Sequence, residues 1–378
     1  REGAVVSDPE TQGKKTRGEM ARAARKKHLA RTLNSHAQSI HEVFQVFDQP
    51  AAPSLEKVDW SEVTKLGDEI SKQATITGML WTGETPNARE LEDNIGTYCN
   101  MLQGFLLLSH GSTVGAGPTL QACIHASAKQ IIDCSLSLLQ EATSSYGSCS
   151  DKKTTIPRLS GSVWEACSAL KKTPTTNCMA IGRALTQVAV SVKDVIREMR
   201  ELKPAAIGSV DEMPAETSNT CESNEEDGAS EDGLGNDLSP EEMNIAHLTI
   251  DVVSDALVII KEAIRFITSL IKKPPQGVVS ENYVHPLESL LKHYQELGVQ
   301  VDELGACVYP PQEVSLIRAT TEKMLNITNE IQAEVQNMEG SSEGLVRSLQ
   351  AFKGSLGKLQ LGSCPDTGLV QEMGSLAV

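Results

Sequence analysis

The sequence predicts an all-α protein, built as two antiparallel helical bundles joined by a disordered acidic linker. Three observations carry this. Apolar residues recur at spacings of three, four and seven along most of the chain, the period of an amphipathic helix. Aromatic residues make up 3% of the 378, so Leu, Ile, Val, Ala and Met must fill the core, which suits helix packing better than sheets. No run of alternating β-branched residues interrupts the pattern.

Residues 1–19 read as a disordered basic tail without periodicity, with Met20 expected as the native start. A first helix follows, striped by Leu29, Leu33, Ile40, Phe44 and Phe47 and ended by Pro50 and Pro53. Asp59, with Glu62 three residues on, caps a second helix carrying Val63, Leu66, Ile70, Ala74 and Thr77 up to Trp81. Thr85-Pro86 opens a third with Leu91, Ile95, Tyr98, Leu102 and Phe105. Pro118 opens a fourth with Leu120, Ile124, Ile131 and Leu138, stopping near Gly147. A short helix holds Val163, Trp164, Cys167 and Leu170. Thr173-Pro174 starts a long one from Ile181 to Leu202, stopped by Pro204.

Residues 204–239 hold ten Asp/Glu and no Lys or Arg, and supply most of the net charge of −16. Such a stretch buries too little apolar surface to offset the entropy of ordering, so it reads as a linker. Ser223, with Glu226 three residues later, is its candidate phosphoacceptor. Ser239-Pro240-Glu241-Glu242 then combines a cap, a first-turn proline and a capping-box glutamate. Helices with Ile245 to Leu270, Leu287 to Leu304 from about His285, Val314 to Met338 after Pro310-Pro311, and Leu345 to Leu359 complete the pattern. The expected organisation is a tail at 1–19, bundles at 20–203 and 240–361, the linker at 204–239 between them, and a loose tail at 362–378.

The negative charge argues against duplex nucleic acid as the main partner, because phosphate contacts need a basic face. No apolar run approaches the ~20 residues of a membrane span, and no secretion signal is evident. Nine cysteines without a CxxC pair fit reduced thiols used as small apolar residues.

Chemistry has one obvious place to reside, the glycine-rich LLLSHGSTVGAGPTL at 106–120. It lacks the lysine of a phosphate-binding Walker loop, the spacing and preceding strand of a dinucleotide turn, and the GxSxG of a hydrolase elbow. A helix joint accounts for every residue, with Gly111 closing one helix in the left-handed region and Pro118 opening the next. The remaining alternative is an anion-binding loop over residues 110–118. His36 and His41 are five apart, a poor pair for one metal ion, and His110 beside the loop reads as a helix-end residue. No catalytic set, cofactor or metal site emerges. The Asn326 sequon falls within a helical stripe and is discounted.

The stretch from Lys14 to Arg31 sets eight cations against Glu19 alone. Its core, Arg22, Arg25, Lys26 and Lys27, is a candidate nuclear import cluster. A nucleic-acid arm and a solvated helix start are the alternatives.

In their order along the chain, SVWEAC (162–167), VKD (192–194), the acidic stretch and YPP (309–311) resemble the cyclin-D-binding protein family, also called GCIP-like or maternal Id-like proteins. LLSHGSTVGAGPTL and KQATITGMLWTG are similar to its plant branch. The resemblance runs from about residue 28 to 360. It implies a non-enzymatic, all-helical protein of nucleus and cytoplasm. The implied partners are D-type cyclins or helix–loop–helix transcription factors, and the implied role is restraint of the cell cycle and transcription. Family members are described as lacking a basic DNA-contacting region, whereas basic residues precede the first helix here. Trp81 and Trp164 are candidate partner anchors, because tryptophan dominates binding hot spots; a core role is the competing reading for both. A cytoskeletal or membrane-associated helical adaptor is the alternative function, since long bundles serve those roles too.

Overall fold

An amphipathic helix is stable in water only when its stripe is covered. A computed structural model describes how this chain covers ten of them, over residues 9–82, 87–146, 155–204, 237–272, 281–338 and 343–362. Ser223, the interior of the acidic stretch (205–236) and the C-terminal tail lie outside the described residues. The helices are α1 (Pro9–Phe47), α2 (Trp60–Thr82), α3 (Ala88–Ser112), α4 (Pro118–Ser144), α5 (Thr155–Leu170), α6 (Asn177–Met199), α7 (Pro240–Lys272), α8 (Glu281–Ala306), α9 (Val314–Asn337) and α10 (Glu343–Gly362). The described residues add one two-residue parallel pairing, β1 (Lys203–Pro204) with β2 (Asp237–Leu238).

The chain divides into two compact units, Arg1–Ala180 and Ile181–Val378. In the first, α1 packs on α3, α3 on α2, α2 on α5, α5 on α4, and α4 back on α1. Five helices thus close a ring around one core holding Tyr98, Phe105, Leu91, Ile95 and Ile131. In the second, α8 packs on α7, α7 on α10, α10 on α9, and α9 on α8. There α6 lies against α8, where an added Cβ at Gly298 would sit 3.0 Å from Val188 and one at Gly305 2.7 Å from Val195. The unit boundary therefore falls ahead of residue 203, because the α6 stripe of Ile181, Leu185, Val192 and Met199 is buried within the second unit.

The two units repeat one another. Leu29, Leu33, Ile40 and Phe47 of α1 are buried at the same spacing as Ile181, Leu185, Val192 and Met199 of α6. The buried stripe of α2 matches α7 (Val63 with Thr249, Ile70 with Ala256, Ala74 with Ile260, Trp81 with Ile267). In α3 and α8 the wholly buried tyrosines coincide, Tyr98 with Tyr294, flanked by Ile95 with Leu291 and Phe105 with Val301. Ile131 and Leu139 of α4 match Ile327 and Val335 of α9. Ile156, Val163, Cys167 and Leu170 of α5 match Leu345, Phe352, Leu356 and Leu359 of α10. The acidic stretch occupies the connection between α6 and α7, the counterpart of the short connection between α1 and α2. Its flanks are held side by side by the β1–β2 pairing, with Leu238 buried.

Several helix starts differ from expectation, most of them for one reason. α3 is capped by Asn87, whose side chain accepts from the Arg89 N–H at 3.2 Å, while Thr85-Pro86, the expected opening, lie outside the described residues. α6 starts at Asn177 rather than at Thr173-Pro174, and α9 at Val314 rather than at Pro310-Pro311. α8 starts before His285, at Glu281, and takes Pro286 inside. A proline biases its predecessor away from helix but does not oblige the helix to begin beside it. α1 begins at Pro9, inside the expected tail; residues 10–19 have no large apolar side chain for periodicity to register. By contrast, α7 starts as read. The Ser239 N–H donates to Glu242 Oε2 at 2.9 Å and the Glu242 N–H to Ser239 Oγ at 3.2 Å, which holds the Glu242 carboxyl below its usual pKa.

Among the described residues α7 is the one helix long and apolar enough to cross a membrane. Its stripe from Ile245 to Ile267 is buried, mainly against α10, as in a core helix of a folded domain.

Close approach at Gly305 yields a paired expectation. Gly305→Ala should lower stability by about 1–3 kcal/mol through overpacking. Gly357→Ala in α10, where an added Cβ meets nothing within 4 Å, should be neutral or stabilising by up to about 1 kcal/mol. Thermal melts followed by circular dichroism compare the two.

A candidate protein-interaction face on α2 and α5

α2 and α5 run antiparallel and very close. A Cβ on Gly67 would sit 2.7 Å from Leu170, and one on Gly78 2.8 Å from Ser160 Oγ. Ser160 is buried in this crossing. Because the backbones approach so closely, the outer surface between them is shallow, and side chains beside it decide what it presents.

Trp164 stands on that outer surface, 44% exposed. Its indole N–H donates to Thr75 Oγ1 of α2 at 3.1 Å, which fixes the ring against the neighbouring helix. Met79, one turn beyond Thr75, is 70% exposed, and Ile76 is 53% exposed. Gly161, one turn before Trp164, has open space where a side chain would be. The result is an apolar strip of Trp164, Ile76 and Met79 with a free notch at Gly161. Lys72, Arg158 and Glu165 are exposed around it, and an Asp68–Lys171 ion pair at 2.7 Å closes the far end.

The second unit supplies an internal control. In the shared register Trp164 corresponds to Lys353, Ile76 to Glu262 and Met79 to Arg265. Glu262 and Arg265 form an ion pair, and Lys353 Nζ donates to Gln332 Oε1 at 2.6 Å. The same five-helix plan therefore takes charged side chains at all three positions. Packing does not demand the apolar strip on α2 and α5, and water does not favour it.

Trp81 is placed otherwise. It is 3% exposed, its N–H donates to Asn94 Oδ1 at 3.2 Å, and Thr77 Oγ1 donates to the same oxygen. Asn94 thus satisfies two buried donors, and Trp81 belongs to the core with no surface to offer. Ile76 and Met79 were not singled out from the sequence. Their signal was present, since they fall between the stripe positions Ala74, Thr77 and Trp81 and so point away from the core.

The residue 106–120 segment is a helix joint. The Gly117 N–H at the start of α4, the group an anion would seek, donates to Asn177 Oδ1 at 2.7 Å, and Asn177 Nδ2 donates to the Gly115 carbonyl at 3.0 Å. The left-handed residue is Gly115, with φ +72°, not Gly111. Gly111 is the last but one residue of α3 and is small because Val58 crosses it, 2.5 Å from where a Cβ would be. A cavity of about 340 Å³ lies beside the joint, lined by Lys57, Val58, Asp59, Trp60, Ser112, Ile124 and Thr175. His110 packs edge-on against Phe47 at 5.9 Å. Burial pushes the Cys99 and Cys167 thiols up to about 12, so neither is a thiolate nucleophile near neutral pH. Among the described residues, no three His, Cys, Asp or Glu side chains are grouped to hold a metal ion.

Compared with known families, residues 62–205 match the N-terminal domain of Grap2 and cyclin-D-interacting proteins, and residues 222–333 match the C-terminal domain of the same proteins. The candidate face lies inside the first match. No curated protein matches the chain.

The two tryptophans should part company on substitution. Trp81→Ala should cost about 3–5 kcal/mol, as for a large core residue. Trp164→Ala should cost under about 1 kcal/mol. Urea denaturation measures both.

Proposed function

The chain belongs to the family of Grap2 and cyclin-D-interacting proteins, and from that premise we propose that it is a non-enzymatic regulator that docks an amphipathic helix of a protein partner on the α2–α5 face. The partner class is a D-type cyclin or a helix–loop–helix transcription factor. The observation that carries this reading is the apolar strip of Trp164, Ile76 and Met79 where the second unit has Lys353, Glu262 and Arg265.

Physics supplies the mechanism. A partner helix laid along the strip would bury Trp164 and Met79 under anchors at positions i, i+3 or i+4, and i+7. Trp164 is already oriented by Thr75, so little rotamer freedom is lost on binding. Covering a partner's pairing helix blocks its other associations with no chemical step. The proposed setting is nucleus and cytoplasm, with Arg22, Arg25, Lys26 and Lys27 as the import cluster. In this structure Lys26 Nζ donates to the Ser144 carbonyl.

Trp164→Lys installs the counterpart residue of the second unit and tests the reading. Capture of a purified D-type cyclin by the immobilised full-length protein should fall at least about thirtyfold, the scale of a hot-spot loss near 2 kcal/mol, with an unchanged melting temperature. Undiminished capture by a folded variant overturns the assignment of this face.

A further inference from the structure

The cavity of about 340 Å³ beside the α3–α4 joint has a counterpart corner in the second unit, and there the chain bridges it. In the shared register Trp60, the first residue of α2, corresponds to Ala246, whereas α7 begins earlier, at Pro240. Ser112 corresponds to Val308 and Ala116 to Gln312. Ala246 and Val308 are wholly buried. The Gln312 side chain spans the corner, its Nε2 donating to the Glu242 carbonyl at 3.0 Å and to the Val308 carbonyl at 2.8 Å. In the first unit a non-helical segment, 56–59, stands where α7 has helix, and the Val58 N–H donates to the Gly111 carbonyl at 3.2 Å. Ala116 has no side chain to reach across. The fold can therefore close this corner with its own residues, and in the first unit it does not.

The wall combines apolar surface with unmatched donors. Val58, Ile124 and the Trp60 ring supply the apolar part. The Trp60 Nε1 is buried and has no hydrogen-bond partner among the described residues. A buried donor without an acceptor is costly and uncommon in folded proteins. Lys57, in the same wall, is exposed and makes no hydrogen bond or ion pair among the described residues. Asp59 is committed to the start of α2, its Oδ1 accepting from the Ser61 N–H at 2.8 Å. The Ser112 hydroxyl is committed too, donating to the Ser109 carbonyl at 2.7 Å. The helix start at Gly117 takes no part, because Asn177 already holds its N–H.

We propose that this cavity binds a small monocarboxylate with an apolar body, the carboxylate taken by the Trp60 N–H and the Lys57 ammonium and the body laid against Val58 and Ile124. The wall selects this chemistry. Its two unengaged groups are both donors, so the ligand must bring an acceptor. One of them is a cation, so a charged acceptor is held better than a neutral one. The Asp59 carboxylate stands two residues from Lys57, so a dianion such as a phosphate ester meets repulsion that a single charge meets less. The remaining wall is apolar, as in most small-molecule sites, and the volume lies at the lower end of their range.

The test follows the tryptophan indole N–H signals of the full-length protein by nitrogen-correlation NMR, with Trp60→Phe identifying the Trp60 signal. Phenylacetate is the probe. It should move that signal saturably, with half-saturation at or below about 10 mM for a ligand of this size. Phenylacetamide keeps the shape without the charge, and phenyl phosphate carries more charge. Each should bind at least about fivefold more weakly than phenylacetate. Lys57→Gln should weaken phenylacetate binding at least about fivefold. Ala116→Gln installs the counterpart residue of the second unit and should abolish binding, with the Trp81 and Trp164 signals unmoved as evidence of folding. If Ala116→Gln fails to fold, Lys57→Gln, at an exposed position, decides together with the amide. No movement of the Trp60 signal up to about 50 mM phenylacetate overturns the proposal. So does the amide or the phosphate binding as tightly, or undiminished binding by either folded variant. The cyclin capture experiment is independent of this result, because the α2–α5 strip and the cavity share no residue.

Discussion

Everything in this protein depends on one packing constraint: each helix must bury a single stripe against its neighbours. Tyr98 and Tyr294 mark how completely this is met. Both are wholly buried, at matching places on α3 and α8, and burial pushes both phenols above their usual pKa. One hydroxyl donates to Ser135 Oγ and the other to the Ile259 carbonyl, so neither is left without a partner. Where helices need to come closer than side chains allow, glycine appears, as at Gly67 and Gly78 against α5 and at Gly298 and Gly305 against α6. With the interior so determined, the outer faces are free to vary, and function is to be sought there.

The repeat turns that freedom into evidence. Two units with the same stripes solve the same folding problem. Where they differ on the outside, folding is not the reason. Three departures stand out. The acidic stretch lengthens the α6–α7 connection. The basic stretch lengthens α1. The apolar strip of Trp164, Ile76 and Met79 replaces charge. Each is an addition to a common plan rather than a part of it.

Much of this was legible in the sequence. The helical class, the number of helices and nearly all stripe residues follow from period and composition, because a stripe is local and leaves its trace in one window. Helix ends were less legible. Asn87 and Thr176 cap where prolines nearby drew attention, and a cap depends on a hydrogen bond that spacing does not reveal. Trp81 and Trp164 look alike in sequence, each a tryptophan in a helical stripe. What separates them is the partner helix: Asn94 receives one from inside the core, Thr75 the other from the surface. The repeat itself was hidden because few side chains are shared even where burial coincides, as Trp81 with Ile267 and Phe105 with Val301 show. The long acidic insertion also breaks the period that would have exposed it.

The central claim is that recognition occurs on an outer face of the first unit that folding leaves free. Amide hydrogen exchange of the full-length protein, alone and saturated with a purified D-type cyclin, addresses it most directly. Slower exchange confined to the stretch around Thr75–Thr82 and to α5 is the result the account predicts. Protection on α7 and α10 instead, around Glu262, Arg265 and Lys353, would contradict it.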